Sequence, residues 1–175
     1  GNTCFLNSCM QALSHTYELN TLLNMDKIQN SLSNVSDKNN LIIEWKNLNS
    51  VMWTKDGIVS PNRFVYNVQQ VADTTGRDIF TGWAQNDLPE FLRFFIECMH
   101  SIISRPVNMT INGNIQNKTD KIAVSCYEML DKIYSNEYSE IMEMFYGIYV
   151  SELSSKTGST IHSVNPENYF ILDLE

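Results

Sequence analysis

Gly1-Asn2-Thr3-Cys4-Phe5-Leu6-Asn7-Ser8-Cys9-Met10-Gln11-Ala12-Leu13-Ser14-His15-Thr16 is the stretch whose reading decides the fold. Gly1, Asn2 and Thr3 make a short polar turn, and a helical pattern starts at Cys4. Leu6, Cys9 or Met10, and Leu13 recur at helix spacing and predict one buried stripe, interrupted by polar Asn7, Ser8 and Gln11. Thr3 is placed to cap this helix, its side-chain oxygen accepting from a first-turn N–H. Cys4 then sits on the first turn, where unpaired N–H groups and the positive dipole end favour a thiolate. Backbone donors at the same place can stabilise an oxyanion. The residue types leave two readings open: an activated nucleophile, or a small buried thiol, as free cysteines often are.

Composition narrows the class. A chain of 175 residues, 43% hydrophobic and 11% aromatic, is long and apolar enough for a folded domain with its own core. The formal net charge of −8 argues against a nucleic-acid binder, which needs a basic face, and suits a basic protein partner. Cys4, Cys9, Cys98 and Cys126 show neither disulfide-dense spacing nor a CxxC pair, which predicts a reducing, intracellular setting, cytoplasmic or nuclear. No apolar run is long enough to span a bilayer, and no signal peptide is evident, so no membrane association is expected.

Going along the chain, Thr16 to Asn40 is rich in Asn, Ser and Asp and reads as a surface connection with a short helical piece at Leu19–Met25. Leu41, Ile42, Trp45, Leu48 and Met52 give helical spacing, with Trp45 and Trp53 expected as core anchors. Ser60 and Pro61 read as the N-cap and first residue of a helix that buries Phe64, Val68 and Val71. Asp87 with Glu90 reads as a capping box, Pro89 being tolerated in the first turn of a helix running to about Ser104. A polar stretch leads to a helix from Asp120 to Tyr134, in which Cys126, like Cys98 before it, reads as a core thiol. From Ile141 the chain turns aromatic and β-branched. Phe145 to Leu153 and Tyr169 to Leu174 are predicted as two antiparallel strands joined by a polar turn.

The opening box, with Gln11 and Leu13, resembles the nucleophile box of the ubiquitin-specific proteases, a papain-like class of deubiquitinating cysteine peptidases. Gln85-Asn86-Asp87-Leu88-Pro89-Glu90-Phe91-Leu92 is similar to that family's second signature, Gln-x-Asp-x-x-Glu-Phe-Leu, and His100 stands near the end of the following helix as in the family. Phe145-x-Gly147, Ser151, Leu153 and the Glu167–Leu174 segment resemble the start of its finger region, and Ser60-Pro61 followed by Phe64 is also similar. The resemblance implies an α+β fold: a helical thumb over residues 1–140, then the first strands of an antiparallel finger and palm sheet over 141–175.

Function follows by the same implication. The chain resembles a deubiquitinase, a thiol-dependent hydrolase of bonds after the C-terminal glycine of ubiquitin, with ubiquitin or ubiquitinated proteins as partners. Cys4 would be the nucleophile, while Gln85 and Asp87 would hold the ubiquitin tail, the Asp87 carboxylate pairing with a tail arginine. Pro89 stands where the family usually has Gln, so a side-chain contact there is lost or replaced. Many members carry half of a zinc site in the finger turn. Here Ser154 to Gly158 supply hydroxyls in place of thiolates and His162 is a single ligand, so neither zinc nor any other cofactor is expected.

A base is also needed, and His15, His100 and His162 are the available imidazoles. His15 is some 16 Å down the helix from Cys4 at ~1.5 Å per residue. None stands in the family's Gly-His-Tyr context. The expectation is that the base and its orienting Asp or Asn follow residue 175 and that the oxyanion Asn precedes Gly1, so that the domain is incomplete and this stretch alone is inactive. The competing readings are a catalytically dead, ubiquitin-binding pseudo-deubiquitinase or scaffold, and a helical interaction module with no ubiquitin role.

Overall fold

Helix α1 (Cys4–Ser14) buries Leu6, Cys9, Met10 and Leu13 as its spacing predicts, and adds Ser14. A computed structural model describes residues 2–33, 35–54, 56–82, 84–156 and 161–172, with backbone alone at Ile161 and His162. The chain divides into two compact units, Gly1–Ile103 and Ser104–Glu175.

The first unit is helical. After α1 the predicted surface connection is instead two short helices, α2 (Tyr17–Leu23) and α3 (Asp26–Leu32). Leu19, Leu22 and Leu23, then Ile28 and Leu32, are spaced to bury one face of each, and all five are buried. The amide-rich composition that suggests a loop caps and links these turns. The Asn20 Nδ2 donates to the Ser14 carbonyl at 2.9 Å, the Gln29 Nε2 to the Leu23 carbonyl at 2.8 Å, and the Asn49 Nδ2 to the Asn20 Oδ1 at 2.8 Å.

Helix α4 (Asp37–Thr54) places Leu41, Ile42 and Trp45 in the core. Trp53, expected there too, is 52% exposed and meets the His15 ring edge-on at 4.9 Å. It is eight residues from Trp45, far enough along the helix for its face to have turned from the core. Helix α5 (Asn62–Thr74) buries Phe64, Val68 and Val71. Pro61 occupies the cap position that the sequence suggests for Ser60, and no side chain caps this end.

A 3-10 turn, Asp78–Phe80, leads to α6 (Leu88–Ile103), with Pro89 in its first turn. Phe91, Phe94, Phe95, Ile96, Cys98 and Met99 are all buried on α6. The core of the unit is aromatic: Trp45, Phe64 and Phe95 meet pairwise with ring centres 5.8–6.0 Å apart. Such rings contribute about 0.5–1.5 kcal/mol per pair beyond their buried area.

In the second unit, α7 (Lys118–Tyr134) starts two residues before the predicted boundary. Its capping box is formed by Asn117 and Asp120, each side chain accepting from the other's backbone N–H. Cys126 on α7 is half-buried, not a core thiol. Helix α8 (Glu140–Phe145), which the sequence does not predict, ends on Phe145, the first residue of the predicted strand. Ser139 decides the outcome: its hydroxyl is buried and accepts from the Met142 N–H at 3.2 Å.

The antiparallel hairpin is present, but β2 (Ile161–Tyr169) lies earlier than expected and pairs with β1 (Gly147–Ser154) in the register Gly147 with Tyr169 and Val150 with Pro166. Residues 161–168, predicted as turn, are therefore strand. Phe170 to Leu172 lie beyond it, and residues 173–175 are outside the described residues. Gly147 is required where it stands: a Cβ there would come within 2.7 Å of the Tyr169 ring.

Candidate active site

Cys4 opens α1 and is exposed. Thr3 holds the cap position, as expected, but its side chain makes no capping bond. Its backbone carbonyl accepts from the Asn7 N–H at 2.9 Å and closes the first turn. The first-turn N–H groups beside Cys4 are thus not taken up by the cap, and point to where an anion would lie.

The other three thiols differ. Burial pushes Cys9 and Cys98 each up to about 12, from an ordinary value of 9.0, so both stay protonated and inert near neutrality. Cys126 belongs to the second unit and is half-buried.

The second motif meets the first through aromatic rings. Phe5, directly after Cys4, lies edge-on to Phe91 with centroids 5.4 Å apart, and 6.3 Å from Phe80. Phe91 is on the first turn of α6, and its N–H donates to the Asp87 carbonyl at 3.1 Å. Gln85 and Asp87 are both exposed on the segment that enters α6. The capping box predicted at Asp87 is not formed: among the described residues no hydrogen bond or ion pair reaches its carboxylate. A crevice of about 20 Å³ is lined by Thr3, Phe5, Leu6, Phe80 and Asn86 among others, so residues next to Cys4 and Asn86, between Gln85 and Asp87, face one space. Phe5 and Phe80 are the site residues that sequence reasoning missed. Phe80 carries no motif, and Phe5 reads as an ordinary apolar residue of the helix.

The imidazoles are elsewhere. His15 caps the far end of α1, against Trp53. His100 is in the last turn of α6, nine residues past Phe91, or ~13 Å along the axis. The side chain of His162 lies outside the described residues, as do Thr157 and Gly158 of the finger turn. No cluster of three or more metal-ligating side chains occurs among the described residues. Nor is any described helix long and apolar enough to cross a membrane.

Comparison with known proteins settles the family. The sequence profile described as ubiquitin carboxyl-terminal hydrolase matches residues 1–163. The chain belongs to the ubiquitin carboxyl-terminal hydrolase family. It is 32% identical over 161 residues to ubiquitin carboxyl-terminal hydrolase 2 of Bos taurus, covering 88% of this chain and 25% of that protein. To ubiquitin carboxyl-terminal hydrolase Usp2 of Drosophila melanogaster it is 31% identical over 169 residues, covering 95% of the chain and 17% of the relative. To ubiquitin carboxyl-terminal hydrolase 15 of Xenopus tropicalis it is 27% identical over 183 residues, covering 99% and 18%. The chain thus spans about a quarter or less of the length of these relatives. Its helices and two-stranded antiparallel sheet are those of part of a papain-like hydrolase of this family, a helical thumb and the start of the finger sheet.

Proposed function

We propose that this chain is the nucleophile-bearing part of a deubiquitinase, and that Cys4 attacks the carbonyl carbon of the C-terminal glycine of ubiquitin. The observation that carries this reading is an exposed thiol at the head of α1, in a chain of this family, whose neighbour Phe5 packs against the helix opened by the second motif. In the proposed reaction, Sγ loses its proton to a base and forms a thioester with the glycine. The amine leaves with a proton, and water then cleaves the thioester, returning the thiol and a ubiquitin carboxylate. First-turn N–H groups of α1 suit the oxyanion that forms in both steps.

Gln85 and Asp87 are proposed to hold the ubiquitin tail. Their exposure supports this, as does the lack of an internal partner for the Asp87 carboxylate among the described residues, which leaves it available to an arginine. The functional division we propose is a thumb over residues 1–140 and a finger over 141–175. The partners would be ubiquitin and ubiquitinated proteins, not nucleic acid, which the net charge of −8 disfavours. The four free thiols favour work in a reducing compartment, whether cytoplasm or nucleus.

The test is capture by ubiquitin carrying a C-terminal electrophile, followed by peptide mapping. Labelling at Cys4, lost in Cys4→Ala and competed by free ubiquitin, is the expected result. A label on Cys126, or one that free ubiquitin does not displace, would refute the reading.

A further inference from the structure

We propose that Phe5 is a positioning residue, its ring fixing the Cys4 thiol against the Gln85–Asp87 segment. The role rests on the deubiquitinase reading, whereas the geometry behind it stands independently. Asn2 and Cys4 are exposed, Thr3 makes no capping bond, and the buried stripe begins only at Leu6.

Phe5 is half-buried and meets two rings at once, Phe91 at 5.4 Å and 76°, and Phe80 at 6.3 Å and 28°. Phe80 and Phe91 are themselves 5.6 Å apart at 79°, so the three rings close a triangle. Two of its corners are anchored, because Phe91 and Phe80 are buried and Phe80 also packs on Phe94 at 5.0 Å. The third corner is the half-exposed ring of Phe5, and its backbone is bonded directly to that of Cys4.

The anchored end reaches the tail-binding segment just as directly. The Phe91 N–H donates to the carbonyl of Asp87. From Cys4 to Asp87 the path is therefore one peptide bond, one ring contact and one backbone hydrogen bond. Thr3, Phe5 and Asn86 line one crevice of about 20 Å³, so the two segments lie on either side of the Phe5 ring. Nucleophilic attack requires the thiol and the held carbonyl to be in register, and a misplacement of about 1 Å can cost about 100-fold in rate. Phe5 supplies that register without touching the reacting atoms.

The experiment uses two readouts on the 175-residue chain. Spin labels at Cys4 and at Gln85→Cys, in a Cys126→Ser background, report the distance between the motifs by electron paramagnetic resonance. A single narrow distribution is expected in the parent, a broad one in Phe5→Ala, and a narrow one again in Phe5→Tyr. In unlabelled chains, capture of Cys4 by the ubiquitin electrophile should fall at least about tenfold in Phe5→Ala, while iodoacetamide alkylation of Cys4 stays within about twofold. Phe5→Leu, which keeps apolar bulk and loses the ring, takes the place of Phe5→Ala if circular dichroism shows that the alanine variant loses helix. An unchanged distance distribution overturns the proposal, and so does an unchanged ratio of the two labelling rates in a chain that ubiquitin captures. If ubiquitin does not capture the parent, the deubiquitinase reading fails, and with it the catalytic role of Phe5.

Discussion

Cys4 and Cys9 stand five residues apart on one helix and have opposite chemistry. Cys4 is exposed at the helix head, while burial holds the Cys9 thiol up at about 12. Brief alkylation at neutral pH should label Cys4 before Cys9, Cys98 or Cys126, and mass spectrometry of the peptides checks it; first labelling of Cys98 or Cys126 would displace Cys4 from its role. The same burial sets an alkaline limit. In the unfolded chain Cys9 and Cys98 ionise near 9, whereas folded they hold their protons to about 12. Their raised folded values favour the native state below pH 9, and that contribution is lost as pH climbs towards 12. Melting temperature should therefore fall through this window, and fall less steeply in Cys98→Ala than in the parent. For Asp87, a carboxylate with no hydrogen bond among the described residues predicts that Asp87→Ala changes stability by less than about 0.5 kcal/mol. Removing its pairing with an arginine should cost about 2–5 kcal/mol of ubiquitin binding where the pair is buried. Calorimetric titration beside thermal melting separates the two, and lost stability with unchanged affinity would make Asp87 a purely structural residue.

Among the elements, α7 has the most explicit start. Asn117→Ala removes one arm of its capping box and should destabilise the second unit by about 1 kcal/mol, read as a lower denaturant midpoint with unchanged slope. The sequence made the long helices legible, because Leu6 to Leu13, Phe64 to Val71 and Phe91 to Cys98 bury one face each at regular spacing. It misled where polar residues serve helices. Asn20 and Gln29 look like loop composition, yet their amides close the turns from α1 to α3. Helix α8 was hidden for a related reason, since its start rests on one buried serine hydroxyl, Ser139, just ahead of the predicted strand. At the candidate site the motifs located Cys4, Gln85 and Asp87. They gave no sign that three phenylalanines join the segments, because ring contacts between distant residues leave no local pattern.

For the whole chain, the expected result is that it binds without turning over. His15 and His100 stand about 16 Å and 13 Å along their helices from Cys4 and Phe91, and no hydrogen bond joins an imaginable base to Cys4 among the described residues. A thiol without a partner acid cannot protonate a leaving amine. The purified 175-residue chain should release no measurable fluorescent amide from ubiquitin, and turnover that vanishes in Cys4→Ala would show that one of its own histidines supplies the base. The hairpin carries a different kind of consequence. Among the described residues β1 is paired along one side only, with β2. In such an antiparallel pair every second residue sends its N–H away from the partner strand. The amides from Gly147 to Leu153 therefore belong to two alternating kinetic classes, one held in the ladder and the other open to deuterium from solvent, and the strand keeps time with a period of two residues up to the register shift at Ser154.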